Sequence, residues 1–418
     1  MYVRKRRNHL MAVLPTLAIV AATTSFAVAL EPGQKELKFS ERVVAGGAHD
    51  FMTVRHLRLR GSQQAIGRKL AEIAQSRHGV ELLRPDPPMA DRRLEFYRRA
   101  YPMHYQRALG VKNHFGTALG GELDATVLPY NLPANFGCSV VYYPPSHCAS
   151  GHATLSRNYD WSTGTWADLL GPSAQKDERR TTEDPYVIEV YPDRGYPSLY
   201  LCAYELLGGC FDGVNSEGLT VALLANNTGV PPTPSNAWQA GLSEVEIGRY
   251  LLENYADVEE ARQALASIDF YYAFVACHYI MGDRDGNSFV WEYSVNRDRR
   301  YVVDGKGGPQ WVTNHPIHAD AYPTAESIPT SLTSSTFARF RRLNEEINKA
   351  PTKRSLDDIK HANRCVRAVG QGTVPTRTLW HAIYDCHDKS LEIDFYLGEN
   401  GANGKEKRSG YLQFQLER

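Results

Sequence analysis

The feature that most constrains the fold is a change of hydrophobic period around position 137. Upstream, apolar residues recur at helical spacing. Ser62 is placed to cap a helix that has Ile66, Leu70 and Ile73 on one face. A second amphipathic stretch runs from Ala90 to Leu109, with Leu94, Tyr97, Tyr101 and Tyr105 in phase, and Pro102 kinks or divides it. A third short helix is predicted over Glu122–Val127, followed by a Pro/Asn/Gly loop, Pro129–Gly137. Downstream of Cys138 the period becomes that of strands, at Ser139–Tyr143, His152–Tyr159, Tyr186–Tyr191, Ser198–Tyr204 and Leu219–Leu224. Helices return near Ser243–Tyr255 and Val258–Ala266, and Ser243 with Glu246 has the spacing of a capping box. Phe274–Met281 and Ser288–Tyr293 read as a hairpin turned at Asp283-Arg284-Asp285-Gly286. Helices at Thr336–Ala350 and Ser355–Val369 precede a last hairpin, Leu379–Tyr384 with Leu391–Leu397. Strands in runs, then helices, then strands describe an α+β fold of stacked antiparallel sheets with helices outside. The polar stretch Leu170–Glu183 reads as an exposed loop.

With 418 residues, 42% of them apolar, the chain can bury a full core as one large domain or two ordinary ones. Acidic and basic residues balance at 47 each, so nothing in the charge points to nucleic acid or to an acidic partner segment. The N-terminus reads as an address. Arg4-Lys5-Arg6-Arg7 is a basic region, Leu10–Val20 is apolar, and Ala27-Val28-Ala29 is an A-x-A cleavage site. Residues 1–29 are therefore expected to be a signal peptide, and the mature chain to be exported, periplasmic or secreted, without stable membrane insertion. Arg6-Arg7 also permits twin-arginine export.

Export would permit disulfides, and there are seven cysteines: Cys138, Cys148, Cys202, Cys210, Cys277, Cys365 and Cys386. An odd count leaves at least one thiol unpaired within the chain. That thiol is either an incidental buried one or Cys138. Cys202 and Cys210 stand close enough in sequence to bridge a short loop. No CxxC pair is present, and no Cys/His cluster has zinc-like spacing, so no metal is expected.

Cys138 follows Gly137 and opens an apolar strand, and the next strand carries Arg157-Asn158-Tyr159-Asp160-Trp161. Were the Gly137–Cys138 bond cut, Cys138 would carry a thiol and an α-amine on one residue. An α-amine titrates near pH ~7.7–8.0, so it can act as a base at neutral pH without a separate His.

Together with further segments in the same order, these residues resemble the N-terminal-nucleophile (Ntn) hydrolases. The resemblance is to the acyl-CoA:6-aminopenicillanate acyltransferase-like group, related to choloylglycine hydrolases and acid ceramidase. Leu57–Ser62 with Ile66-Gly67 resembles the group's early segment, and Gly137-Cys138-Ser139 its nucleophile site, where the family usually has Cys-Thr. Arg157-Asn158-Tyr159-Asp160-Trp161, Gly213–Leu219, Thr313-Asn314-His315-Pro316, Ser334-Ser335 with Arg339-Phe340, and Thr378-Leu379-Trp380 resemble the elements that follow. The resemblance covers nearly the whole mature chain.

The resemblance implies an αββα sandwich of two antiparallel sheets between helical layers. It implies self-cleavage at Gly137–Cys138, with residues 30–137 as a helical N-terminal segment (the α chain) and 138–418 as the catalytic β chain of one domain. The mature Cys138 thiol would attack a linear amide of an N-acyl compound, form an acyl-enzyme, and pass the acyl group to water. An amine or thiol acceptor would make the protein an acyltransferase instead. Arg157 and Asp160 would position and tune Cys138. Asn226, or its neighbour Asn227, would donate to the oxyanion, where a lost donor costs ~2.7–4 kcal/mol. Asn314 would be a second donor or hold the α-amine, and Arg339 would anchor the network. The implied partners are a small N-acyl amide and the two fragments of one precursor, with no metal or organic cofactor.

Taken alone, each residue also has a plainer reading. Arg157 and Asp160 could form a structural salt bridge, Asn226 and Asn314 could be turn residues, and Arg339 one of several solvated arginines. Cys148 is a rival nucleophile, only nine residues before Arg157. His278 reads as a satisfied core residue, and His315 is open either way. A non-enzymatic exported binding protein with Cys138 buried or paired would have the same patterning. A serine hydrolase is disfavoured, because no GxSxG elbow appears.

Overall fold

The computed structural model describes residues 37–80, 87–116, 137–170, 178–203, 206–226, 239–273, 275–294, 297–321, 335–349, 351–370, 375–400 and 405–417. The expected signal peptide, the helix over Glu122–Val127, the loop before Gly137, Asn227 and Ser334 lie outside the described residues.

The described chain opens with a hairpin, β1 (Lys38–Gly46) and β2 (Thr53–Gly61). The segment expected to be helical therefore begins with a hairpin. Most of β1 is exposed at a sheet edge, so it shows no alternating apolar pattern. Helices α1 (Gln63–His78), α2 (Pro87–Ala100) and α3 (Pro102–Phe115) follow. Ser62 caps α1 by accepting from the Ala65 N–H at 3.2 Å, and Pro102 begins α3, where a missing N–H costs nothing.

Past position 137 come β3 (Gly137–Tyr143), β4 (Thr154–Ser162), the short α4 (Trp166–Leu170), β5 (Tyr186–Pro192) and β6 (Ser198–Cys202). Next are β7 (Asp212–Asn215), β8 (Thr220–Ala225), α5 (Ile247–Asn254) and α6 (Val258–Ser267). Strands β9 (Cys277–Gly282), β10 (Ser288–Ser294), β11 (Arg299–Asp304) and β12 (Gln310–Val312) precede α7 (Ser335–Lys349) and α8 (Leu356–Arg364). The chain closes with β13 (Thr376–Asp385), β14 (Ser390–Asn400), β15 (Lys405–Arg408) and β16 (Leu412–Gln415). Helix α5 starts later than the Ser243 box suggests. The Glu246 carboxylate does accept from the Ser243 N–H at 2.7 Å, but a turn intervenes before the helix.

The strands form two sheets. One has the order β1-β2-β5-β6-β7-β8-β9-β10-β11; the other runs β12-β3-β4-β13-β14-β15, with β16 also on β14. The pairing is antiparallel apart from β2 with β5, which is parallel because the chain crosses to the other sheet between them. A single apolar cluster joins inward residues of both sheets, Cys138, Val140, Tyr142, Leu155 and Tyr159 from one and Val187, Leu199, Ala222 and Ile280 from the other. The outer face of the second sheet carries Val141, Tyr143 and Ile383, which pack with Leu343 and Ile347 of α7 and Ile359 of α8. Helices α1 and α5 lie on the nine-stranded sheet, at β2 and at β7–β8. The result is the expected αββα sandwich.

No disulfide joins any of the seven cysteines, Cys202 and Cys210 included, although export would permit such bridges. Cys202 sits buried at the end of β6 with its Sγ 3.2 Å from the Gly209 carbonyl, and Cys210 is buried beside α5. No helix among the described residues is long and apolar enough to cross a membrane.

Candidate active site

The site is built on the register of two central strands. In the β3–β4 ladder Cys138 stands opposite Tyr159, Gly137 opposite Asp160 and Val140 opposite Arg157. Side chains alternate across a strand, so Cys138 and Arg157 emerge on the same inner face as diagonal neighbours. The Arg157 Nη2 lies 3.5 Å from the Cys138 Sγ and also donates to the Leu223 carbonyl of the opposite sheet at 2.9 Å. Its Nη1 pairs with Asp212 of β7, whose other carboxylate oxygen accepts from the Tyr384 hydroxyl of β13. Arg157 and Asp212 are fully buried. A buried charge without a partner costs several kcal/mol, so this pair must remain together. Tyr159 lies flat on Trp380, ring centroids 4.0 Å apart, and with Phe211 walls the guanidinium in.

Asp160 points the other way. Arg157 does not pair with it, contrary to the structural salt-bridge reading. Asp160 accepts from the Thr378 hydroxyl at 2.6 Å, and its second oxygen is 3.6 Å from Arg339. Burial pushes its carboxyl pKa up, against the pull of Arg339, Thr378 and Arg157. It also packs against the backbone of Gly137. A Cβ there would come within 2.7 Å of the Asp160 Cβ and 2.9 Å of its Oδ2, so only glycine fits beside this carboxylate.

The Cys138 backbone is held from the α7 side. Asn314, just past β12, accepts from the Cys138 N–H through Oδ1 at 2.7 Å and donates its Nδ2 to the Ala225 carbonyl, also at 2.7 Å. Arg339 of α7 donates to the Cys138 carbonyl through Nη1 and to Asn314 Oδ1 through Nη2 at 2.7 Å. Thr336 fixes Asn314 by accepting from its N–H at 2.8 Å. Asn314 thus binds the Cys138 nitrogen through Oδ1 while its Nδ2 is committed to Ala225. Asn226 follows β8 with its backbone N–H on the Ala276 carbonyl at 2.6 Å, and its side chain is half-buried.

The structure thus brings Cys138, Arg157, Asp160, Asn314 and Arg339 around one strand end. Cys148 lies elsewhere, in the cluster under α7 and α8. Its Sγ is 3.8 Å from both the Tyr143 carbonyl and the Thr154 hydroxyl, and burial pushes its thiol up to about 11. His278 bridges Glu292 at 3.0 Å and the Thr313 carbonyl at 2.6 Å, a satisfied core residue that steadies the segment before Asn314. Burial drives His315 down to about 3, so it is a neutral packing residue.

Sequence reasoning missed Asp212, Tyr384 and Thr336, and took Thr378 only as part of a strand motif. Asp212 immediately precedes the Gly213–Leu219 element, but nothing in the sequence pairs it with an arginine 55 positions away.

Comparison with known proteins places the chain in a family. Residues 148–401, more than half of the chain, match the family described as acyl-coenzyme A:6-aminopenicillanic acid acyl-transferase, and the chain belongs to that family of Ntn enzymes. The matched segment contains Arg157, Asp160, Asn226, Asn314 and Arg339 and begins ten residues after Cys138. Over 208 residues the chain is 26% identical to a penicillin V acylase of Pectobacterium atrosepticum, covering 46% of this chain and 53% of that protein. The match therefore spans about half the length of that relative. Among solved structures, penicillin V acylase from Agrobacterium tumefaciens aligns with a TM-score of 0.42 at 20% identity, covering 62% of this chain and 83% of that one. A mutant conjugated bile acid hydrolase from Clostridium perfringens aligns with a TM-score of 0.44 at 15% identity, covering 67% and 97%. Overlaps of that size carry no weight beside the family match.

Proposed function

We propose that this chain is the precursor of a cysteine amidase that cuts its own Gly137–Cys138 bond and then uses Cys138 to hydrolyse a linear amide of an N-acyl compound. The observation that carries the reading is the double hold on one residue. The Cys138 nitrogen is bound by Asn314 at 2.7 Å while its sulfur faces Arg157 at 3.5 Å.

In the first reaction the Cys138 sulfur attacks the Gly137 carbonyl carbon. A C–S bond forms, the C–N bond breaks, and the nitrogen takes up a proton. Water then cleaves the thioester, leaving a Gly137 carboxylate and returning the thiol. The freed α-amine keeps the Asn314 contact and takes protons from the thiol in the second reaction. There the thiol attacks the substrate carbonyl, the amine leaves, and water releases the acid. Asn226, which follows β8, or its sequence neighbour Asn227 is proposed as oxyanion donor.

The upstream fragment would stay in place, because β1 and β2 belong to the nine-stranded sheet. Its Arg107 also pairs with Glu253 of α5 in full burial. Export and signal removal are part of the same proposal, and water as the acceptor is the default for an exported enzyme. The relative named for acting on penicillin V suggests an acyl group attached through an amide. The family's own name keeps transfer to an amine as the second reading.

The test is N-terminal sequencing of purified wild type and Cys138→Ala from a denaturing gel, followed by a screen of N-acyl amides. Two wild-type fragments, the larger starting at Cys138, with an intact mutant, support the proposal. A single intact wild-type chain whose Cys138 resists alkylation would sink it in favour of a binding protein.

A further inference from the structure

Away from Cys138, helices α7 and α8 bring three metal-ligating side chains together. His361 and Cys365 stand one turn apart at the end of α8, and Glu346 faces them from α7. Their ligand atoms all lie within 4.8 Å of one another. The Cys365 Sγ is 3.4 Å from the His361 Nε2, and that nitrogen is 3.5 Å from Glu346 Oε2. Bond lengths of about 2.3 Å to sulfur and about 2.0–2.2 Å to nitrogen and oxygen, at tetrahedral angles, require edges of about 3.5 Å and about 3.4 Å. The observed separations match both edges. The spacing escaped sequence reasoning because its third donor comes from a different helix.

From this arrangement we infer that Glu346, His361 and Cys365 form a zinc site that clips α7 to α8, with a fourth position open to water. Thiolate, imidazole and carboxylate suit Zn2+ better than the hard ions Mg2+ or Ca2+. Cys365 is the one cysteine of the chain that is not buried, so an ion can reach it. Arg342 pairs with the other oxygen of Glu346, Oε1, at 2.9 Å, which orients the carboxylate and leaves Oε2 for the ion. Binding displaces the thiol proton into solvent. The clip would steady the layer behind the strand end at Cys138, since α7 carries Arg339, and Asn363 of α8 holds Ser156 at 3.0 Å and Asn158 at 2.7 Å. A second cluster, His152, Asp385 and His387, is a poorer site. Its imidazoles stack face to face, centroids 4.7 Å apart and planes 15° apart, so their in-plane lone pairs do not converge.

The test is titration of the full-length protein with Co2+, whose bond to a thiolate gives a charge-transfer absorption. The band is expected to saturate at one equivalent, to be bleached by Zn2+, and to vanish in Cys365→Ser. His361→Ala should weaken Co2+ binding at least tenfold. Zn2+ should raise the Tm of wild type but not of Cys365→Ser, which without metal should melt like wild type because the side chain is partly exposed. No thiolate band, or a band that survives in Cys365→Ser, overturns the inference. The His152 cluster holds no cysteine and cannot produce the band.

Discussion

Replacing Asp212 by alanine tests the link that joins the two sheets at Cys138. Asp212 lies on the nine-stranded sheet; Arg157 and Tyr384 lie on the other, and all three side chains are fully buried. Removing the carboxylate leaves the Arg157 guanidinium in the core with the Leu223 carbonyl at 2.9 Å as its remaining strong acceptor. Breaking a buried pair in this way costs about 3–5 kcal/mol. Tyr384→Phe removes one hydrogen bond to a charged group and should cost less, about 1.5–3 kcal/mol. Arg157→Met combined with Asp212→Leu removes both charges and should recover most of the loss, because neither stays unpaired. The assay is urea unfolding of each variant in a Cys138→Ala background, so that every chain stays whole and an unchanged slope permits comparison of midpoints. If Asp212→Ala costs less than about 1 kcal/mol, or the double variant is as unstable as the summed singles, the pair is not a desolvated brace and the argument from burial fails.

Gly137→Ala should destabilise the protein by about 1–3 kcal/mol through overpacking. The new Cβ meets the Asp160 Cβ at 2.7 Å, which is no flexible chain end, so β3 and β4 must spread. Fragment yield should fall with it; unchanged melting and cleavage would show that the strands accept the methyl. Acid should weaken the fold through neutral buried histidines. Burial drives His315 and His381 to about 3, below the unfolded value of 6.5. The unfolded chain then binds the extra proton as pH falls through 6.5, and stability drops until about pH 3. At pH 5 the loss is about 2 kcal/mol for each. Urea midpoints at pH 7 and pH 5 measure it, and His381→Gln should flatten the dependence; a midpoint indifferent to pH would contradict the burial of these rings.

Legibility followed the local signal. Strands β5, β8, β10 and β13 fall on apolar runs visible in the sequence, because central strands covered on both faces are largely apolar, whereas β4 is buried yet mostly polar and was legible through its motif. β1 escaped because an exposed edge strand needs no apolar face, and β7 because four residues are too few to show a period. Thr336 carries no signal of its own.

What this sequence determined by itself is the set of pieces, and the order of its short motifs points to the family. The β3–β4 register that brings Cys138 and Arg157 to one face came with the structure. What only the tertiary structure decided is the pairing. Side-chain direction separates Arg157 from Asp160, three residues away, and the stacking of two sheets gives Arg157 to Asp212 instead. Strand period is local and survives in one dimension. The choice of a counter-ion across a core depends on which surfaces are buried against each other, and that is settled only when the sheets close.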